Sequence, residues 1–168
     1  MGIVGTDIVR RYSGGSGNTD PNASLGGQIS STSIANNTLN ALFSDFSGQE
    51  SNDGVTKYRC FYILNNHGSL TAKNPKIYFT AQPANSGVTV ALAAGSSAVN
   101  GTEQTIADEN TAPTGVSFTT PTSGSKLSLS DIPAGQWKAI WVRLVTASAA
   151  TAKDADSYTL AIDVDTNE

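Results

Sequence analysis

The sequence predicts an all-β fold, an antiparallel β-sandwich of immunoglobulin-like or jelly-roll type with an extended N-terminal arm. Three observations predict it. Ser, Thr, Asn and Gly make up about two fifths of the 168 residues, and these types are poor helix formers but frequent in turns. From Val55 onward, short runs alternate apolar and polar residues between clusters of Gly, Pro and Asn, which is the period-two pattern of half-buried strands. Beyond a helical turn near Ile34 to Phe43, no stretch carries an amphipathic helical stripe. The length suits one domain with an appended segment, divided as residues 1–54 (arm) and 55–168 (sandwich).

The arm opens on a short apolar alternation, Ile3, Val4, Ile8 and Val9, and continues into Tyr12-Ser-Gly-Gly-Ser-Gly-Asn-Thr-Asp-Pro-Asn-Ala-Ser-Leu-Gly-Gly27, too rich in Gly and Asn for regular structure. Single apolar residues then recur every three to five positions: Leu25, Ile29, Ile34, Leu39, Leu42, Phe43 and Phe46. They are read as anchors by which the arm packs along its own domain or along a neighbouring subunit. Ser47 to Gly54 closes the segment with turn residues.

Thr56 to Asn65 reads as a central strand with Tyr58, Cys60, Tyr62 and Leu64 on one face and Phe61 and Ile63 on the other. The Asn65-Asn-His-Gly68 turn leads to a strand over Pro75–Ala81, and Val88, Val90 and Leu92 alternate in a third. A polar loop with room for one short strand fills Ala93 to Thr114, and Val116–Phe118 and Lys126–Leu129 are expected as short strands. Asp131 to Gly135 turns into the second central strand, Gln136–Val145, with Trp137, Ala139 and Trp141 on one face and Ile140, Val142 and Leu144 on the other. A small-residue loop over Ala147–Asp156 precedes a closing strand over Ser157–Val164, with Tyr158, Leu160, Ile162 and Val164 inward.

A net charge of -4 disfavours nucleic acid as a partner, since phosphate binding needs a surplus of Lys and Arg. No run approaches the roughly 18 apolar residues of a membrane span, and the first residues lack the apolar core of a signal peptide. The expectation is therefore a protein of a reducing compartment with no membrane partner. One Cys and one His exclude an internal disulfide framework and a multi-Cys or multi-His zinc site.

Candidate chemistry is sparse. Cys60 lies in the strongest strand and reads as a buried hydrophobe rather than a nucleophile; His67 sits in a turn where exposure is expected. Asp163-Val-Asp-Thr-Asn167 resembles the opening of a calcium loop, but Glu168 stands where Gly is required. Asp154 and Asp156 could offer hard oxygen ligands, although solvated charges are the simpler reading. Ser123-Gly-Ser-Lys126 satisfies S-x-x-K without the companion motifs that give it meaning. No catalytic residue, cofactor or metal site is assigned, and the chain is expected to be non-enzymatic.

At Ser13 to Gly27, Lys57-Tyr-Arg-Cys-Phe-Tyr-Ile-Leu-Asn-Asn66 and Ala134-Gly-Gln-Trp-Lys-Ala-Ile-Trp-Val-Arg143, the chain resembles small virion structural proteins of tailed bacteriophages, most like capsid decoration (cement) proteins. The resemblance covers most of the length and fixes no functional residue. It implies a β-sandwich made in the host cytoplasm, present in many copies on the virion, whose partners are the major capsid protein and further copies of itself. On that reading the arm orders against neighbouring subunits through its seven apolar anchors, and removing residues 2–48 is expected to leave the sandwich folded. The alternative is a tail or baseplate binding module that presents the Ala93–Thr114 or Ala147–Asp156 loop to a host surface receptor or glycan.

Overall fold

In the computed structural model, which describes residues 2–151, 153 and 156–166, the chain is nearly all β, with antiparallel pairing throughout. In chain order the strands are β1 (Ile8–Tyr12), β2 (Gly26–Gly27), β3 (Val55–Asn65), β4 (Ala72–Ala81), β5 (Val88–Ala94), β6 (Glu103–Thr105), β7 (Leu127–Ser128), β8 (Trp137–Thr146) and β9 (Thr159–Thr166). One six-residue helix, α1 (Gly48–Asp53), precedes β3. A four-stranded sheet of order β1-β3-β8-β5 faces a three-stranded sheet of order β7-β4-β9, and β2 and β6 form a separate ribbon.

The core between the two main sheets is built from alternate residues. Phe61 and Ile63 of β3, Ile140, Val142 and Leu144 of β8, and Val90 and Leu92 of β5 meet Ile77 and Phe79 of β4. Each fully buried side chain of this kind contributes roughly 1.5 to 3 kcal/mol gross. The opposite face of the four-stranded sheet is also covered. Cys60, Tyr62, Ala93, Ala139 and Trp141 pack there under Ile106, with Leu25, Ile29, Val116 and Phe118 partly buried against them. That double covering is why β3 and β8 are buried at most positions and on both faces, a pattern more usual in parallel sheets.

Four expectations from the sequence are corrected. Residues 1–54 are not a separate arm, because Ile8–Tyr12 pair in register with Asn65–Phe61 as an integral strand of the larger sheet. The turn near Ile34 to Phe43 takes the form of turns at 36–37 and 39–40 without a helix, and the helix falls instead at Gly48–Asp53. There the Ser47 hydroxyl accepts from the Glu50 N–H and the Glu50 carboxylate accepts from the Ser47 N–H, a capping box that satisfies two otherwise unpaired donors. Val116–Phe118 is not a strand; only Thr119 bridges to Leu92, although Val116 and Phe118, two residues apart, share a face as in a strand and pack onto the second face of the sheet. His67 is half-buried rather than exposed, since its Nδ1 accepts from the N–H groups of Ser69 and Leu70 and so closes its own turn.

Candidate functional site

The glycine-rich stretch is a compact loop folded onto the sheet. The Ser13 hydroxyl, fully buried, donates to Cys60 O and accepts from the Gly26 N–H. Cys60 N–H in turn donates to Ser24 O, 2.8 Å away, so the half of β3 not covered by β1 is capped by this loop. Gly26 has φ +94°, and a Cβ there would lie 1.8 Å from Gln104 O, so only glycine permits the β2–β6 approach. Tyr62 completes the attachment: its hydroxyl donates to Gly27 O at 2.6 Å and accepts from the Glu103 N–H at 2.9 Å.

Two charged clusters fasten the remaining segments. Lys57 and Arg59 project from β3 and are almost fully buried, so their charges need partners. The Lys57 ammonium lies 2.7 Å from Glu50 and 3.0 Å from Glu109, above the Phe46 ring. The Arg59 guanidinium binds Glu109 and Asn22 and sits 5.5 Å from the Phe43 ring centroid. Burial works to raise the Glu109 carboxyl, but hydrogen bonds from Lys57 and Arg59 outweigh it and hold the group below its usual range. Glu50 is lowered by its bond to Lys57, helped by the Ser47 N–H. The second cluster surrounds Glu103, whose carboxylate accepts from the Ser96 hydroxyl at 2.7 Å and the Ser97 N–H at 2.9 Å. Burial alone would raise this carboxyl; the hydrogen bonds win and bring it from 4.5 to about 2. Nearby, the Lys138 ammonium donates to Gly95 O and Ser97 O, and burial lowers its pKa against the opposing pull of Glu103.

These attachments decide the fate of the seven apolar anchors. Leu42 and Phe43 are buried in the main core, Ile34 and Phe46 pack partly buried against it, and Leu25 and Ile29 cover the second face. Six of the seven are thus packed within the chain itself, the first of the two arrangements that their spacing left open. Leu39 is the exception, 73% exposed. It sits on a loop over 36–41 whose Asn37 and Asn40 adopt left-handed φ values of 54° and 55°, a conformation that Asn tolerates better than most residues. Both feet of that loop are tied to β1. The Arg10 guanidinium binds the Asn36 side chain, and the Tyr12 hydroxyl donates to Ala41 O at 2.9 Å.

The chemical candidates resolve differently. Cys60 has no exposed surface, and burial, with the Glu103 charge, pushes its thiol well up, which removes it as a nucleophile. Lys126 is paired with Asp163 and lies 4.7 Å from the Tyr78 ring centroid; its pKa is raised, so the S-x-x-K lysine is no base for Ser123. Asp163 and Asp165 lie on β9, a strand rather than a calcium loop, and Asp165 accepts from Asn74. Asp156 accepts from the N–H groups of Ala84 and Asn85. Asp154, Asn167 and Glu168 lie outside the described residues, and among the described residues no cluster of three potential metal ligands occurs.

Sequence reasoning missed the two charged clusters. Lys57 and Arg59 could have been flagged, since charges at alternate positions of a strand that is otherwise apolar must find partners, but their partners lie up to 52 residues away. It also missed a half-buried group formed by Tyr58, Phe118 and Arg143, in which the two rings are 5.6 Å apart and the guanidinium is 5.1 Å from the Phe118 centroid. A comparison with known proteins finds no family model, no curated protein and no solved structure that matches this chain.

Proposed function

We propose that this chain is a non-enzymatic structural protein of a tailed-bacteriophage virion, a capsid decoration protein that stabilises the shell by contacts with major capsid subunits. The carrying observation is Leu39. It is the one anchor of the N-terminal segment left uncovered, and it is held on a loop that β1 fixes at both ends. A side chain so presented needs little ordering on docking, which reduces the entropy cost of binding. The flanking residues Asn36, Asn37, Thr38, Asn40 and Ala41 carry no charge, so the tip suits a neutral apolar recess, and repetition over a symmetric shell multiplies a weak contact into firm attachment.

The primary test is the copy number of this chain in purified particles, measured by quantitative mass spectrometry against the major capsid protein. Hundreds of copies in a simple ratio to capsid subunits support the reading; its absence from particles overturns it. At the residue level, Leu39→Asp is expected to lower shell occupancy at least tenfold with an unchanged melting temperature, because burying a carboxylate in an apolar recess is unfavourable.

A second reading, a tail or baseplate module that binds a host receptor or glycan, is favoured by the Tyr58–Phe118–Arg143 group. Half-buried rings beside a cation offer a stacking surface to a sugar or a peptide. A copy number near a dozen, with Phe118→Ala abolishing glycan or cell-surface binding, would select this reading over decoration.

A further inference from the structure

Sheet edges expose unpaired N–H and C=O groups, and folded proteins cover or blunt them. Here the edges of the four-stranded sheet are covered, and the edge strand β7 of the other sheet is only two residues long. The outer side of β1 is met by residues 30–34: Tyr12 N–H donates to Thr32 O, Ser30 N–H to Tyr12 O, and Ile34 N–H to Arg10 O. The outer side of β5 is met by the Gln82 amide, which accepts from Val90 N–H and donates to Val90 O, and by Thr119, which exchanges two hydrogen bonds with Leu92. Beyond its short pairing with β7, β4 is met by Ile132, Leu129 and Pro121.

β9 is the exception. Its inner side pairs with β4 from Thr159 to Thr166, and no backbone group among the described residues bonds to its outer side. A second observation coincides with the first. Leu160, Ile162 and Val164 face the core from β9 but remain only partly buried, whereas Ile77 and Phe79 on the adjacent β4 are 0% and 6% exposed. Unmet hydrogen bonds and uncovered apolar surface therefore meet along one strand.

We propose that the outer edge of β9 is a self-association surface, on which β9 of a second copy adds antiparallel across a two-fold axis at Ala161. The choice of occupant rests on charge and register. The ladder with β4 is regular from Leu160 to Asp163, with irregularities on either side, so a straight stretch is centred near Ala161 and Ile162. Directly opposed residues of an antiparallel pair share a face, which restricts the axis to a residue rather than a gap. An axis at Asp163 would oppose two carboxylates, and an axis at Ile162 would leave them diagonal neighbours at roughly 7 Å. The axis at Ala161 places Asp163 against Thr159 of the partner, sets two small alanines face to face, and brings Leu160 beside Ile162 of the partner over the exposed flank of each core. Like charges are then about four residues apart, roughly 14 Å. The result is a continuous six-stranded sheet, closed by an isologous contact that leaves neither β9 edge free. This surface is distinct from the Leu39 loop and stands whether or not the chain belongs to a capsid.

The full chain at about 0.1 mM is expected to sediment as a dimer, and Ala161→Lys, which places two ammonium groups at the axis, is expected to convert it to monomer with an unchanged circular dichroism spectrum. Thr80→Lys, on the same outward face of β4, is the control and should stay dimeric. Register is read by Ala161→Cys, which should form a disulfide-linked dimer on mild oxidation, since opposed residues lie within disulfide reach. Thr159→Cys should not, and the native Cys60 is buried. A monomeric wild-type chain at this concentration overturns the proposal, as does a dimer that survives Ala161→Lys or crosslinks through residue 159 instead of 161.

Discussion

Glu103 shows most directly how one residue's environment sets its contribution. It is 3% exposed and sits on a three-residue strand at the rim of the second face, where an unpaired carboxylate would be strongly unfavourable. Ser96 and Ser97 supply donors to the charged form, and its carboxyl falls from 4.5 to about 2. Because the folded-state value is depressed, the stabilisation is fully present above about pH 4.5 and is lost as pH falls toward 2. The shift corresponds to about 3 kcal/mol. Glu103→Gln is therefore expected to lower the denaturant-derived stability by an amount of that order at pH 7 and by little near pH 2. A difference between the two proteins that stays constant across a pH series would contradict this account. Glu50 and Glu109 are lowered in the same direction by Lys57 and Arg59, so wild-type stability should decline through the same acidic range.

At the scale of the element, the edge of β5 illustrates how a side chain substitutes for a strand. The Gln82 amide meets both the N–H and the C=O of Val90 at 3.2 Å, and Val90 itself has no exposed surface. Gln82→Leu keeps much of the volume but leaves two buried backbone groups unpaired, which costs about 1 to 3 kcal/mol; a lowered unfolding midpoint with unchanged cooperativity is the expected result. Hydrogen exchange offers an independent check, with the Val90 amide losing protection ahead of its β5 neighbours. The capping box of α1 belongs to the same scale. Ser47 and Glu50 carry the S-x-x-E spacing openly in the sequence, yet the surrounding Gly, Asn and Asp argue for a turn, and the helix forms because Glu50 is also held by the buried Lys57.

For the whole molecule, the integration of residues 1–54 changes what truncation should do. A detachable arm would leave a folded sandwich after deletion of residues 2–48. Instead β1 contributes one strand of the larger sheet, and Tyr12, Leu42 and Phe43 are core residues. Their loss would uncover the outer side of β3 together with the Cys60–Tyr62 face. The deletion is therefore expected to yield an unfolded or aggregating chain, visible as loss of the near-ultraviolet dichroism of Trp137 and Trp141. A truncated protein with a cooperative melt would restore the detachable arm.

The central strands were legible in the sequence because their alternation is local: the side-chain period of a strand assigns Phe61 and Ile63 to one face and Cys60 and Tyr62 to the other with no knowledge of what covers them. The same holds for Trp141 and Ile140 in β8 and for the inward set of β9. What covers each face was not legible. Leu25, Ile29 and Phe43 could equally have packed on another subunit; they are held on the chain itself by the Ser13–Cys60, Tyr62–Gly27 and Arg59–Glu109 bonds, which join residues 35 to 50 positions apart. The class of fold and the two faces of its central sheet follow from local periodicity and need nothing beyond the order of residues. The partners on those faces, and the isolation of Leu39 and of the β9 edge as uncovered surface, were decided by tertiary packing, because burial is a property of what surrounds a residue and not of its neighbours in the chain.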